Sequence, residues 1–364
     1  MRPLYGRQDL LPLIAPQSIG VIGASARENS FGARVLANLS AYAGRIHLVN
    51  ARYTILDGRP CHDSLAALPE VPDCAVIVVA REAVEEVLTQ CADAGVRAAI
   101  VFASGYAETG KPGRAEDQAR LAALARRRGL RLAGPNCIGL ANIATGAAMT
   151  FSGMPAWRAP APHAVGIVSQ SGALGFAMAQ AIERGAAISH VLTSGNAIDV
   201  DTADYVAALA EEPRCRAIAC LFEGMAEPLR LIEAARRAWE ADKPLVICKI
   251  ATGAHGAAAA LSHTASLAGA DDAWRACLAE AGAVLVGDPP ALVETASFLA
   301  KAGRPLARGV AVAATSGGAG IIAADTAERH GVPLPQPAPD TSEILVGRIP
   351  EFGSARNPCD VTAQ

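Results

Sequence analysis

The feature that most constrains this chain is a rhythm. Short apolar runs alternate with longer amphipathic stretches, and the rhythm stops and starts again. Apolar runs at 18–23, 45–49, 74–80, 97–103 and 130–133 read as strands, with helices over 32–42, 81–94 and 114–128. Strands that alternate with helices build right-handed βαβ units around a parallel sheet. The segment 154–162 holds Pro155, Pro160 and Pro162 and reads as a linker. Beyond it come strands at 164–169, 188–193, 216–222 and 244–250, with helices at 172–183, 201–211 and 227–240. A glycine- and alanine-rich segment, 251–269, precedes a helix at 271–281, a strand at 283–286 and a helix at 289–302. A third start follows, with a strand at 309–314, a turn at 315–320 and a helix to His330. The expected class is α/β, in three modules over 1–155, 160–304 and 305–364. The third reads as incomplete, because a doubly wound domain needs about 100 residues.

Composition narrows the function. Hydrophobic residues make up 51% and charged residues 18% of the 364 positions, so sizeable cores can form. Aromatics are 4% and the net charge is -3, which argues against a nucleic-acid partner and against an anionic membrane surface. The nine cysteines are scattered without a CxxC pair, so neither a disulfide framework nor a metal site is expected, and the chain reads as cytoplasmic.

In the first module, Gly20-Val-Ile-Gly23-Ala24-Ser25 joins a strand to a helix. Free amides at a helix start favour phosphate, although this is not the full dinucleotide fingerprint. An NAD enzyme carries an acidic residue at the end of strand two. Here the run is Val49-Asn50-Ala51-Arg52, and an arginine suits a ribose that bears a phosphate, as in CoA or NADP. Gly134-Pro135-Asn136-Cys137-Ile138-Gly139 follows the last strand, where open α/β sheets bind ligands.

In the second module, Ser169-Gln170-Ser171-Gly172 opens a helix and offers an anion cradle without a P-loop lysine. Ser171 has no glycine two residues before it, so a hydrolase elbow is a poor reading. His263 sits among small residues in Leu261-Ser-His-Thr-Ala-Ser-Leu-Ala-Gly269, where backbone amides can approach a group on the imidazole. A nucleophilic histidine needs a carboxylate to orient it, and Glu223, at the end of a buried strand, is the candidate.

These segments together resemble the ADP- or GDP-forming acyl-CoA synthetases, relatives of the succinyl-CoA synthetase α chain. The agreement is ordered along the chain: Gly23–Ser25, GPNCIG at 134–139, SQSGALG at 169–175, TSGNAIDVDTADY at 193–205, FEG at 222–224 and SHTASLAG at 262–269. The resemblance implies a Rossmann-like CoA-binding domain followed by flavodoxin-like doubly wound domains. It implies that phosphate attacks an acyl-CoA, that the acyl phosphate passes its phosphoryl group to His263, and that Glu223 supports that histidine. By the same resemblance Ser171, Gly172, Gly195 and Asn196 hold phosphate. CoA lies along Gly23, Ala24 and Ser25, with Asn50, Arg52, Ala80 and Ser104 at strand ends and Asn136 near the thiol. In the family strand two ends in Asn-Pro-Lys or similar; here the charge is kept and the proline is lost.

The family transfers the phosphoryl group to ADP, with Mg, on an ATP-grasp domain. No such domain follows here, so the chain is expected to work with an ATP-grasp domain or β subunit, on an acyl-CoA or carboxylic acid, and to form a homo-oligomer as the family commonly does. Thr315–Gly320 and Asn357-Pro358-Cys359-Asp360 read as the opening of the family's third domain. Two other readings compete: a CoA- or acyl-CoA-binding module or degraded paralogue that has lost catalysis, and an NADP-dependent oxidoreductase. The second would explain Arg52 but not the setting of His263.

Overall fold

A computed structural model describes residues 2–155, 161–256, 271–304 and 307–362. They divide into two compact units, 1–303 and 304–364.

The first unit holds two seven-stranded sheets. The first contains β1 (Ser18–Ile22), β2 (Arg45–Val49), β3 (Ile55–Leu56), β4 (Arg59–His62), β5 (Cys74–Ile77), β6 (Ala98–Val101) and β7 (Arg131–Ala133). Their order is β3-β4-β2-β1-β5-β6-β7, parallel except for the β3–β4 edge pair. Strands β1, β5 and β6 are buried along their whole length, as parallel strands covered on both faces must be. Helices α1 (Arg7–Ile14), α2 (Phe31–Asn38), α3 (Arg81–Ala94) and α4 (Arg114–Arg128) accompany this sheet. Ser30 caps α2 by accepting from Ala33 N–H, while α3 and α4 end at Gly95 and Gly129 in the left-handed conformation.

The second sheet contains β8 (Gly139–Asn142), β9 (Ala147–Thr150), β10 (Val165–Ser169), β11 (Ile188–Thr193), β12 (Ala217–Phe222), β13 (Leu245–Lys249) and β14 (Val284–Leu285). Their order is β14-β13-β12-β10-β11-β8-β9, with β10 to β14 parallel. The β8–β9 hairpin is antiparallel and pairs with β11. The sequence reading has no strands there, because these four-residue, alanine-rich runs show no alternation and almost no β-branching. Tertiary contacts hold the hairpin instead. Asn38 Nδ2 donates to Thr150 O (2.7 Å) and Ser152 O (2.8 Å), and Asn142 Nδ2 donates to Ile14 O (3.0 Å). Helices α5 (Gly172–Ala179), α6 (Thr202–Ala210), α7 (Pro228–Glu240), α8 (Asp271–Glu280) and α9 (Pro289–Ala302) complete this half. The expected helices at 32–42 and 172–183 each end in a 3₁₀ turn, over Leu39–Ala41 and Gln180–Arg184.

The second unit pairs β15 (Ala313–Ala314) with β16 (Cys359–Asp360) in parallel and carries α10 (Gly317–Arg329) and α11 (Pro339–Val346). Asn357 anchors it: its Nδ2 donates to Val310 O (2.8 Å) and Pro335 O (2.9 Å), and its Oδ1 accepts from Val312 N–H (3.0 Å). Among the described residues no helix is long and apolar enough to cross a membrane.

A buried charge cluster joins the N-terminal segment to α6 and α7. Asp204 is fully buried and accepts from Arg2 Nη2 (2.5 Å), Arg230 Nη2 (2.7 Å) and Tyr5 N–H (2.8 Å). Arg230 also pairs with Asp201. The guanidinium groups of Arg2 and Arg131 each lie 3.9 Å from the centre of the Tyr5 ring. Such a cluster specifies how elements meet, and removing one member strands its partners. Asp204→Ala is expected to cost about 3–5 kcal/mol in urea unfolding, because two arginines lose their shared carboxylate.

His190 in β11 is fully buried, and neither ring nitrogen has a hydrogen-bond partner among the described residues. Burial lowers its pKa to about 4, against the attraction of Glu212 and aided by Arg214, Arg7 and Lys243. The unfolded chain, with histidine near 6.5, then binds more protons than the folded one between those values. Stability from this group is complete above pH 6.5 and falls as the pH drops toward 4, by up to about 3 kcal/mol. Asp201, raised by burial to about 6, acts in the opposite sense, because its proton is bound more tightly in the folded chain. The difference between urea midpoints at pH 7 and 4.5 is therefore expected to shift in His190→Leu relative to wild type, toward less loss in acid.

Candidate functional site

The order β2-β1-β5 reverses direction at β1, and the crevice of an open α/β sheet lies at such a switch point. The turn Gly23-Ala24-Ser25 occupies it. Gly23 has φ +93° and its N–H donates to Val49 O (2.9 Å). A Cβ at Gly23 would stand 2.3 Å from Val78 O, so only glycine lets the turn approach β5 this closely. Asn50 fixes the turn from the next strand. Its Nδ2 donates to Ala24 O (2.7 Å), its Oδ1 accepts from Arg52 N–H (2.9 Å), and its own N–H donates to His62 O (2.9 Å). A cleft of about 380 Å³ opens beside them, lined by Gly23, Val49, Asn50, Ser64, Leu65 and Val79 among others. The expected residues Ala80 and Ser104 are exposed just past β5 and β6, and Arg52 is exposed beyond β2. Ser64 and Leu65 carry no local signal; the β2–β4 pairing alone brings them here.

The last loop of the first sheet meets a turn of the second. Asn136 adopts φ +55° and its N–H donates to Ala103 O (2.9 Å). Its Nδ2 donates to Asn196 Oδ1 (3.2 Å). Asn196 N–H donates back to Pro135 O (2.9 Å), and Ile198 N–H to Gly134 O (3.3 Å). Gly195 has φ +56°, and a Cβ there would lie 2.5 Å from Pro135 O and 2.6 Å from Asn136 O. Cys137 Sγ is buried 3.2 Å from Thr193 O. Burial pushes its thiol up to about 11, so it is no thiolate nucleophile.

Strand β10 delivers Ser171 as the cap of α5, its side chain accepting from Leu174 N–H (3.4 Å). The amides of Gly172 and Ala173 are first-turn groups with no intrahelical carbonyl to meet. Gly172 packs against Ile138, so the loop at 134–139 touches both the helix start and the Gly195 turn. Gln170 ties in the turn after β12. Its Oε1 accepts from Glu223 N–H (2.9 Å) and Gly224 N–H (3.3 Å). Glu223 is 6% exposed. A cavity of about 570 Å³ opens here, lined by Gln170, Gly195, Asn196, Gly224, Asp201 and Arg230 among others. His263 lies outside the described residues. The Asn196 carboxamide is fully engaged: Nδ2 donates to Glu108 Oε2 (2.6 Å) and Gln118 Oε1 (2.9 Å). With its main-chain N–H also used, Asn196 has no donor left for an anion in this arrangement. Neither Glu108 nor Gln118 is marked by its local sequence.

The geometry thus brings Asn136, Ser171, Gly172, Gly195, Asn196 and Glu223 to one junction, while Gly23–Ser25 and Asn50 form a second centre at the first sheet. Gly195→Ala is expected to lower stability by about 1–3 kcal/mol, since a side chain must adopt positive φ against two carbonyls; urea unfolding measures it.

Residues 17–143 match the family model described as a CoA binding domain, and residues 162–299 match the succinyl-CoA ligase like flavodoxin domain. The α subunit of acetate–CoA ligase [ADP-forming] II from Pyrococcus furiosus is 32% identical over 352 residues, 96% of this chain and 75% of that subunit. Acetate–CoA ligase [ADP-forming] I from Archaeoglobus fulgidus is 33% identical over 350 residues, 96% of this chain and 50% of that protein. The chain therefore spans about half of the latter relative and three quarters of the former. Among solved structures, the dinucleotide-forming acetyl-coenzyme A synthetase 1 of Candidatus Korarchaeum cryptofilum, in complex with phosphate and ADP, superposes with a TM-score of 0.85 at 30% identity, over 97% of this chain and 76% of that one.

Proposed function

The chain belongs to the ADP-forming acyl-CoA synthetases, and from that premise we propose that it carries the acyl-transfer and histidine-phosphorylation half of their reaction. One observation carries this reading: the Asn136 loop, on the CoA side, is hydrogen-bonded to the Gly195-Asn196 turn, on the phosphate side. A thioester reaching from the first sheet and a phosphate at the α5 N-terminus would meet at this junction. In this reading residues 1–155 supply the CoA-binding part, with their last two strands, β8 and β9, joining the second sheet, 160–304 the part bearing His263, and 305–364 a third module.

In the first step a phosphate oxygen attacks the thioester carbonyl, the C–S bond breaks, and CoA leaves as a thiolate that takes up a proton. The first-turn amides of α5 and the positive end of its dipole stabilise the charge on phosphate. In the second step a neutral nitrogen of His263 attacks phosphorus, the P–O bond to the acyl group breaks, and a carboxylate leaves. Glu223 orients the imidazole and stabilises the cation that forms. The phosphoryl group then passes to ADP on an ATP-grasp domain, supplied by a β subunit or by further polypeptide, which also provides the Mg. Phosphoryl transfer asks mainly for positioning and charge stabilisation, which small-residue turns and helix ends supply. In the reverse direction the same parts activate a carboxylic acid.

Labelled phosphate with CoA thioesters tests the proposal. Wild type with acetyl-CoA is expected to acquire an acid-labile, base-stable label, and His263→Ala to acquire none. Equal labelling of the two proteins, or no labelling with any of a panel of acyl-CoAs, would overturn it.

A further inference from the structure

We infer that Glu108 is a positioning residue that couples CoA at the first sheet to phosphate at the second; the inference rests on the ligand assignment proposed above. The residue lies in the 3₁₀ turn Ala107–Thr109 after β6, four positions beyond Ser104, and its carboxylate reaches in two directions. Oε1 accepts from Gly105 N–H (2.6 Å) and Tyr106 N–H (3.2 Å), which shapes the loop carrying Ser104. Oε2 accepts from Asn196 Nδ2 (2.6 Å), on the turn that carries Gly195. One side chain therefore holds a loop of the CoA-binding part and a turn of the phosphate-binding part.

What Glu108 holds on the far side is a locked amide. Asn196 spends both Nδ2 hydrogens on Glu108 and Gln118, its Oδ1 on Asn136, and its main-chain N–H on Pro135 O. It serves the anion by fixing the Gly195 turn rather than by contact. The Gly195 N–H itself makes no hydrogen bond among the described residues, which leaves it for a ligand. A carboxylate is required at 108 because every group facing it is a donor. Glutamine would keep one acceptor and turn an N–H₂ toward either backbone amides or the Asn196 amide, so one of the two links breaks. A charge-assisted acceptor that bridges two elements is the kind of contact through which occupancy of one site biases the other.

Calorimetry on the full chain tests this, titrating inorganic phosphate with and without saturating CoA. In wild type CoA is expected to change phosphate affinity by at least about fivefold, and phosphate to change CoA affinity by the same factor. In Glu108→Gln that factor is expected to fall to near one while CoA alone still binds. Asn196→Ala cuts the same link from the other end, which guards against a Glu108 variant that fails to fold. The double variant Glu108→Gln/Asn196→Ala should lose no more coupling than either single one, a non-additivity that general loosening would not produce. If both ligands bind wild type independently, or if the factor survives in either variant, the inference falls and the ligand assignment stands. If wild type binds neither ligand, the assignment falls and takes the inference with it.

Discussion

Everything proposed for this chain depends on a short main-chain joint between its two sheets. Asn196 N–H donates to Pro135 O, Ile198 N–H to Gly134 O and Val200 N–H to Leu132 O (3.1 Å), while Asp199 Oδ2 accepts from Leu132 N–H (3.1 Å). The bonds run like a short ladder along the exit of β7 and the segment after β11. Backbone donors and acceptors at this depth must be paired, and each half supplies what the other lacks. The joint fixes the C-terminal ends of one sheet against those of the other, so the loops proposed to bind ligands face a common junction.

Around that joint the chain places its special backbone. Asn136 and Gly195 both take positive φ, and they face each other across it. The N-terminal segment locks the same region from outside through Arg2, Tyr5 and Asp204, beneath the start of α6. The β8–β9 hairpin adds a third tie, since it completes the second sheet while Asn38 of α2 holds its outer strand. Rigidity at the joint suits the proposed chemistry, in which a thioester, a phosphate and an imidazole must align and a misplacement of about 1 Å is costly.

Much of this was legible in sequence because it rests on local rules. The parallel strands announce themselves as uninterrupted apolar runs, and Ser171-Gly172 announces the start of a helix. Gly23 and Gly195 mark turns through their neighbours. The β8–β9 hairpin was not legible, because alanine-rich four-residue strands gain their conformation from a partner strand far along the chain. Nor was the engagement of Asn196, which makes four hydrogen bonds to protein. A motif names a residue type; it does not say whether its donors are already spent.

By itself the sequence determined the α/β class, the two restarts and the order of small-residue turns, because periodicity, capping and glycine requirements act over a few neighbouring residues. Only the tertiary structure decided that Ser64 and Leu65 wall the cleft beside Gly23, that Glu108 reaches Asn196, and that Gln170 grips the turn of Glu223. Those contacts join residues dozens of positions apart. Their distances are set by sheet order and by the joint between the sheets, which no local pattern encodes.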